Sequence, residues 1–146
     1  MYKRQADIEA VATKSLEANV FDLSKALVAG NCARALVLLQ KLLSEKERPE
    51  MILGTLISAY VDMYRVKLAL VAGEKAEYPA QFFNYKGREF RLRNAARDAN
   101  TLSVEELRRC LDLLGTADRA LKSGSADEKT VLERLLVQLS GVRARR

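Results

Sequence analysis

Between Pro49 and Gly73 the chain carries Leu53, Leu56, Ile57, Tyr60, Val61, Tyr64, Leu68 and Val71, apolar residues that return every three or four positions. Such spacing gathers side chains along one side of a helix, whereas a strand, with its period of two, would scatter them over both faces. The other periodic segments read the same way and none alternates, so the expected fold is all-α, a compact bundle of about seven helices. With 146 residues, 49% of them hydrophobic, one sizeable core is available and a single domain is expected.

Helix boundaries follow from the residues that start and stop a backbone hydrogen-bond ladder. Asp7, Ile8, Val11 and Leu16 read as a short helix or connector, and Asn19 as the N-cap of a helix over about 20–29, closed by Gly30-Asn31. A central helix is predicted from about Cys32 to Glu47, with Leu36, Leu39 and Leu43 flanked by Leu38 and Leu42. Pro49 suits the first turn of the next helix, because its missing N–H would be unpaired there in any case. Tyr78-Pro79 breaks any helix, and Phe82, Phe83 and Tyr85 are expected to form a short turn with its rings on the bundle. Gly87 opens a basic helix to Asn100, Ser103 to Glu106 form a capping box ahead of Leu107, Leu111 and Leu114, and Gly124 ends that helix. Ser125 to Glu128 repeat the device before Val131, Leu132, Leu135, Leu136 and Leu139. The expected organisation is a connector and short helix at 1–18, a helical domain at 19–140 and a frayed basic tail at 141–146.

Several chemistries are missing their residues. The chain has no histidine, which removes His-ligated metals, Ser-His and Cys-His nucleophile pairs and imidazole acid–base work. Cys32 and Cys110 stand far apart without CxxC spacing, and reading them as two reduced, packed thiols is preferred to a disulfide. No GxxxxGK[ST] loop is present to cradle a nucleotide triphosphate. Glu45, Glu47 and Glu50, like Asp127 and Glu128, sit at helix starts or on polar faces, where a structural role is preferred to paired-carboxylate chemistry. No apolar run approaches the roughly 20 residues that span a bilayer, and residues 1–20 lack the order of a signal peptide. A cytoplasmic, non-enzymatic protein is expected, with no cofactor, no metal, no small-molecule substrate and no membrane partner.

The net charge of +6 is uneven. Residues 86–97 hold Lys86, Arg88, Arg91, Arg93 and Arg97 against Glu89, a local +4, while Arg143, Arg145 and Arg146 add +3 and the remainder sums to −1. The segment 82–97 interleaves these cations with Phe82, Phe83 and Phe90, a pattern that in single-strand binders lets bases stack on rings while cations meet phosphates. The preferred alternative makes the phenylalanines core anchors, since rings that take bases must be exposed. Asp118 is the one acid on the 104, 107, 111, 114, 118, 121 path. Burial there demands a partner, with Arg65 the first candidate, helix-terminal backbone the second and a covering neighbour the third.

Val20-Phe21-Asp22-Leu23 with Ala29-Gly30, Ala33-Arg34-Ala35-Leu36, Arg65-Val66-Lys67, Leu107 through Ser123-Gly124, and Leu132-Glu133-Arg134-Leu135-Leu136 occur in an order and spacing that resemble the C-terminal, collar-forming region of the delta subunit of bacterial DNA polymerase III, a clamp-loader component. The similarity covers nearly all of residues 16–140 and departs most at 76–93, where Pro79-Ala80-Gln81-Phe82-Phe83 replaces a helix of small residues. The resemblance implies assembly as the function. The C-terminal domains of five clamp-loader subunits pack side by side into a collar that holds the ATPase modules in a ring, within a complex that loads the sliding clamp onto primed DNA. It further implies that residues 1–18 continue from an AAA+ lid region, that the clamp-opening surface lies in a domain this chain lacks, and that DNA is met only indirectly or weakly. Tyr60, Tyr64, Lys67 and Lys122 are the candidate subunit-interface residues, and the isolated chain is expected to be a monomer or weak dimer. The alternative is a free-standing helical nucleic-acid-binding domain that uses 82–97.

Overall fold

A computed structural model describes the backbone of residues 2–144 and the side chains of residues 15–143. Among the described residues the elements are α1 Tyr2–Val28, α2 Cys32–Ser44, α3 Pro49–Val71, a 3-10 turn Tyr78–Gln81, α4 Phe90–Ala99, α5 Val104–Ser123 and α6 Glu128–Ala144, with no strand. The all-α expectation holds. There are six α-helices because the two predicted N-terminal segments are one: Asn19 is an interior residue of α1, with no Gly or Pro near it to interrupt the ladder, and Asn costs a helix interior well under about 1 kcal/mol. The side chains of Asp7, Ile8 and Val11 lie outside the described residues.

Helix α3 is the axis of the bundle. It packs on α1, α4 and α5, while α5 packs on α6 and α1 on α2. Leu23 and Leu27, Leu39 and Leu42, Leu53, Leu56 and Tyr60, Leu92, Leu107 and Leu114 are all essentially inaccessible. Truncating any one of these leucines to Ala is expected to cost about 2–5 kcal/mol, because the surrounding side chains close the resulting cavity only in part. The buried side of α3 runs through Ile52, Leu53, Leu56, Tyr60, Met63 and Val66, so the stripe read from sequence is rotated toward its N-terminal members. Its last members, Leu68 and Val71, are exposed.

Caps match the sequence at most ends. Asn31 Oδ1 accepts from Arg34 N–H at 3.1 Å, Pro49 follows the Arg48 cap, and both halves of the Ser103/Glu106 box form at 3.0 and 2.9 Å. Gly124 closes α5 at φ 67, a left-handed conformation that suits Gly. Two starts differ. Asp127, not Ser125, caps α6 through Thr130 N–H at 3.0 Å, while the Ser125 hydroxyl is spent on Ser123. Helix α4 begins at Phe90 rather than Gly87, whose φ of 76 places it in the preceding turn. Helix α6 continues to Ala144 in place of a fray from 141, with Val142 buried and Arg143 Nη1 donating to the Val28 carbonyl at 3.4 Å. Residues 145–146 lie outside the described residues. Both cysteines are free thiols, Cys110 buried and Cys32 half-buried.

Candidate interaction surface

Asp62 is the only acid between Met51 and Val71, and α3 turns it inward, 5% exposed. A buried carboxylate must be compensated. Tyr85 donates its hydroxyl to Asp62 Oδ1 at 2.6 Å, and Arg91 of α4 donates to Oδ2 at 2.8 Å. Arg65, one turn along α3, donates from Nη1 to the Tyr85 oxygen at 3.0 Å, and its guanidinium lies 3.4 Å from the centroid of the Phe83 ring. Burial first, then the bond to Asp62, push the Tyr85 phenol up, and Arg65 opposes them in part. The phenol therefore stays protonated and donating at neutral pH. This cluster ties the 74–89 connection and α4 to the middle of α3, which rigidifies the surface on either side of it.

Two adjoining depressions share Ser58, Asp62 and Arg91. The smaller, about 360 Å³, lies beside Arg65, Phe83 and Asn84. The larger, about 910 Å³, is a groove between α1 and α4 floored by α3, where Gly54, Ser58 and Ala59 keep the floor low. Ser24 is among its lining residues, 1% exposed, and its buried Oγ has no hydrogen-bond partner among the described residues. Asp98 also lines it, and desolvation raises its carboxyl above the usual value against the opposing pull of Lys25 and Arg97.

The predicted site residues are distributed differently from expectation. Asp118 does not pair with Arg65: its carboxylate takes Lys122 Nζ at 2.8 Å, one turn along α5, with 36% of the side chain accessible. Helical geometry explains the change, since Asp118 lies at the margin of the α5 stripe and a cation four residues on reaches it without crossing the core. Arg65 is taken by Tyr85. Tyr60, 1% exposed, belongs to the core and cannot meet a neighbour directly; full burial pushes its phenol well up. Tyr64 is half-buried and its oxygen accepts from Arg108 Nε at 2.9 Å, Lys67 is half-buried, and Lys122 is exposed.

The basic segment also departs from the preferred reading. Phe82, Phe83 and Phe90 are 65%, 44% and 48% exposed, so they are not core anchors. In their place Tyr85 and Leu92 fill the core, and the ring of Phe82 meets the edge of Tyr78 at 5.2 Å. Lys86, Arg88, Arg93 and Arg97 are exposed, whereas Arg91 is drawn inward to Asp62. Asp62 is absent from the residues expected from sequence, although the isolation of one acid in an apolar helix was the available signal. Among the described residues, no group of three or more His, Cys, Asp or Glu is placed to hold a metal ion, and no helix is long and apolar enough to cross a membrane.

The family model described as DNA polymerase III delta subunit, C-terminal domain, matches residues 17–139. A DNA polymerase III subunit delta of Bacillus subtilis (strain 168) is 29% identical over 133 residues, which are 91% of this chain and 38% of that protein. Among solved structures, a Bacillus subtilis DNA clamp loader delta protein superposes with a TM-score of 0.77 at 29% identity, covering 86% of this chain and 36% of the other. The chain thus spans well under half the length of the relatives it matches.

Proposed function

The chain belongs to the family formed by the C-terminal domain of the DNA polymerase III delta protein, and from that membership we infer that it is the collar domain that holds delta in place within the replicative clamp loader. The observation that carries this reading is the family match over 17–139, nearly the whole helical bundle. Residues 19–140 then form the collar proper, with 1–18 as the lead-in from an AAA+ region. The domain works by hetero-oligomerisation in the cytoplasm and performs no catalysis of its own.

The surface supports assembly. Tyr64, Lys67, Leu68 and Val71 follow one another at helical spacing along the C-terminal half of α3, and Leu68 and Val71 are 41% and 68% exposed. An aromatic, two aliphatics and a lysine stem on one rigid helix make a patch of the kind that protein partners cover. Co-purification of the tagged chain with the other loader subunits tests the reading. Wild type is expected to be retained, and the Leu68→Glu/Val71→Glu variant to be lost while its helical circular dichroism persists. Absence of wild-type retention would contradict the reading.

One observation favours a second reading for part of the surface. The exposure of Phe82, Phe83 and Phe90 beside Lys86, Arg88, Arg93 and Arg97 meets the condition for a weak single-strand contact. Anisotropy of a labelled oligo-dT against salt concentration tests it, with affinity falling steeply as salt rises if phosphates are engaged.

A further inference from the structure

Arg65 is a half-buried cation with which no acid among the described residues pairs: its side chain's one hydrogen bond runs from Nη1 to the Tyr85 oxygen, and none of the ion pairs includes it. We propose that Arg65, in the depression of about 360 Å³, forms a carboxylate-binding site, and that its ligand is a short peptide segment in which an acidic side chain stands next to an apolar one. Nothing in this assignment depends on the collar reading.

Charge is the first ground. Two guanidiniums, Arg65 and Arg91, and one carboxylate, Asp62, line the depression. Both Asp62 oxygens are already occupied, Oδ1 by the Tyr85 hydroxyl and Oδ2 by Arg91, so one positive charge is left over and Arg65 carries it. A bound carboxylate balances that charge.

Preorganisation is the second. The Arg65 guanidinium lies 3.4 Å from the centroid of the Phe83 ring while Tyr85 holds Nη1, so the head is fixed before a ligand arrives and little rotamer freedom is lost on binding. The rest of its planar fork has no hydrogen-bond partner among the described residues, and such a fork matches the two oxygens of a carboxylate. Asn84, which also lines the depression, has its Oδ1 engaged by the Lys86 N–H at 3.2 Å, which leaves its amide N–H groups as further donors.

The walls select what accompanies the acid. Ile57, Val61 and Phe83 line the depression and favour an apolar side chain beside the carboxylate. A nucleic-acid strand fits this place less well, because the guanidinium covers one face of the Phe83 ring, closing it to a base, and Arg91, the other lining cation, is committed to Asp62.

NMR titration of the isotope-labelled chain with acetyl-Gly-Asp-Phe-Gly-amide tests this, following the Arg65 Nε–Hε signal and the backbone amides of Asn84 and Tyr85. Saturable shifts of these signals are expected. Asn in place of the peptide's Asp should weaken binding by about tenfold or more, and Ala in place of its Phe by about threefold. Arg65→Lys, which keeps the charge but loses the fork and the stacked plane, should cost about tenfold, read on the two amides. Phe83→Leu, at a ring 44% exposed and so without consequence for folding, should cost about threefold by releasing the guanidinium. Unmoved signals at about 10 mM peptide, or equal binding of the Asn peptide, would overturn the site. Shifts that persist unchanged in both protein variants would place the peptide elsewhere and overturn it too. Oligo-dT moving the same signals at lower concentration than the peptide would give the site to a phosphate backbone, and equal affinity for 3-phenylpropionate would give it to free acids; either result overturns the peptide ligand.

Discussion

Arg91 donates to Asp62 at 2.8 Å across the α3–α4 interface, with the two side chains 23% and 7% accessible. Removing the arginine strands a buried carboxylate whose remaining donor is Tyr85. Arg91→Leu is therefore expected to lower stability by about 2–4 kcal/mol, somewhat below the cost of breaking a fully buried pair because one bond survives and water reaches the rim. The Asp62→Leu/Arg91→Leu double variant should recover most of the loss. Urea unfolding of the four members of the cycle checks this; additive losses would show that the two residues are not coupled.

Tyr85→Phe removes the hydroxyl that links Arg65 to Asp62 and keeps the ring. A loss of about 1–3 kcal/mol is expected, since an acceptor inside the bundle loses a donor. Faster amide exchange confined to 82–89 should accompany it, and an unchanged exchange pattern would argue against the cluster's role in fixing that connection.

Lys122→Ala should change stability by no more than about 0.5 kcal/mol. The pair with Asp118 is an i,i+4 contact on the outer side of α5, with the lysine side chain 75% accessible. A loss above about 2 kcal/mol in thermal melts would mean that Asp118 is buried against something other than this lysine.

Alkaline pH acts on Cys110. Burial, then the negative charge of Glu106, push its thiol from 9.0 up to about 12. Between those values the unfolded chain has already released the proton and the folded one has not, so stability falls as pH rises from about 9, and is unaffected by this group below that. Buried Tyr60, also pushed up, acts in the same direction. Cys110→Ala should flatten the fall in melting temperature between pH 9 and about 11. Equal slopes in wild type and variant would contradict the assignment. At neutral pH a thiol reagent should modify Cys32 first and reach Cys110 only on unfolding.

Helix identity and most caps were legible in the sequence because each depends on residues within one or two turns: Asn31, Pro49, Ser103 with Glu106, and Gly124 act locally. The Asn19 boundary failed for the same reason in reverse, since a good cap residue does not start a helix when the preceding turns already propagate. Asp62 was missed because it falls beside, not on, the stripe formed by Ile57, Val61, Tyr64 and Leu68, and packing rotates the buried side of α3 toward Ile52, Met63 and Val66. Nothing local reveals that Tyr85 and Arg91 converge on it. The same limit applies to Phe82, Phe83 and Phe90, where residue type favoured the core and the path of the 74–89 connection leaves all three rings exposed.

Assembly with unlike subunits is the property on which the functional reading stands. Light scattering of the purified chain alone, and then mixed with the remaining subunits of the same clamp loader, measures it. The chain alone is expected to show a mass near 16.3 kDa, or a weak dimer, and to move on mixing into a larger complex at one copy per assembly. A stable homopentamer, or a chain that stays apart from the mixed subunits at micromolar concentration, would contradict it.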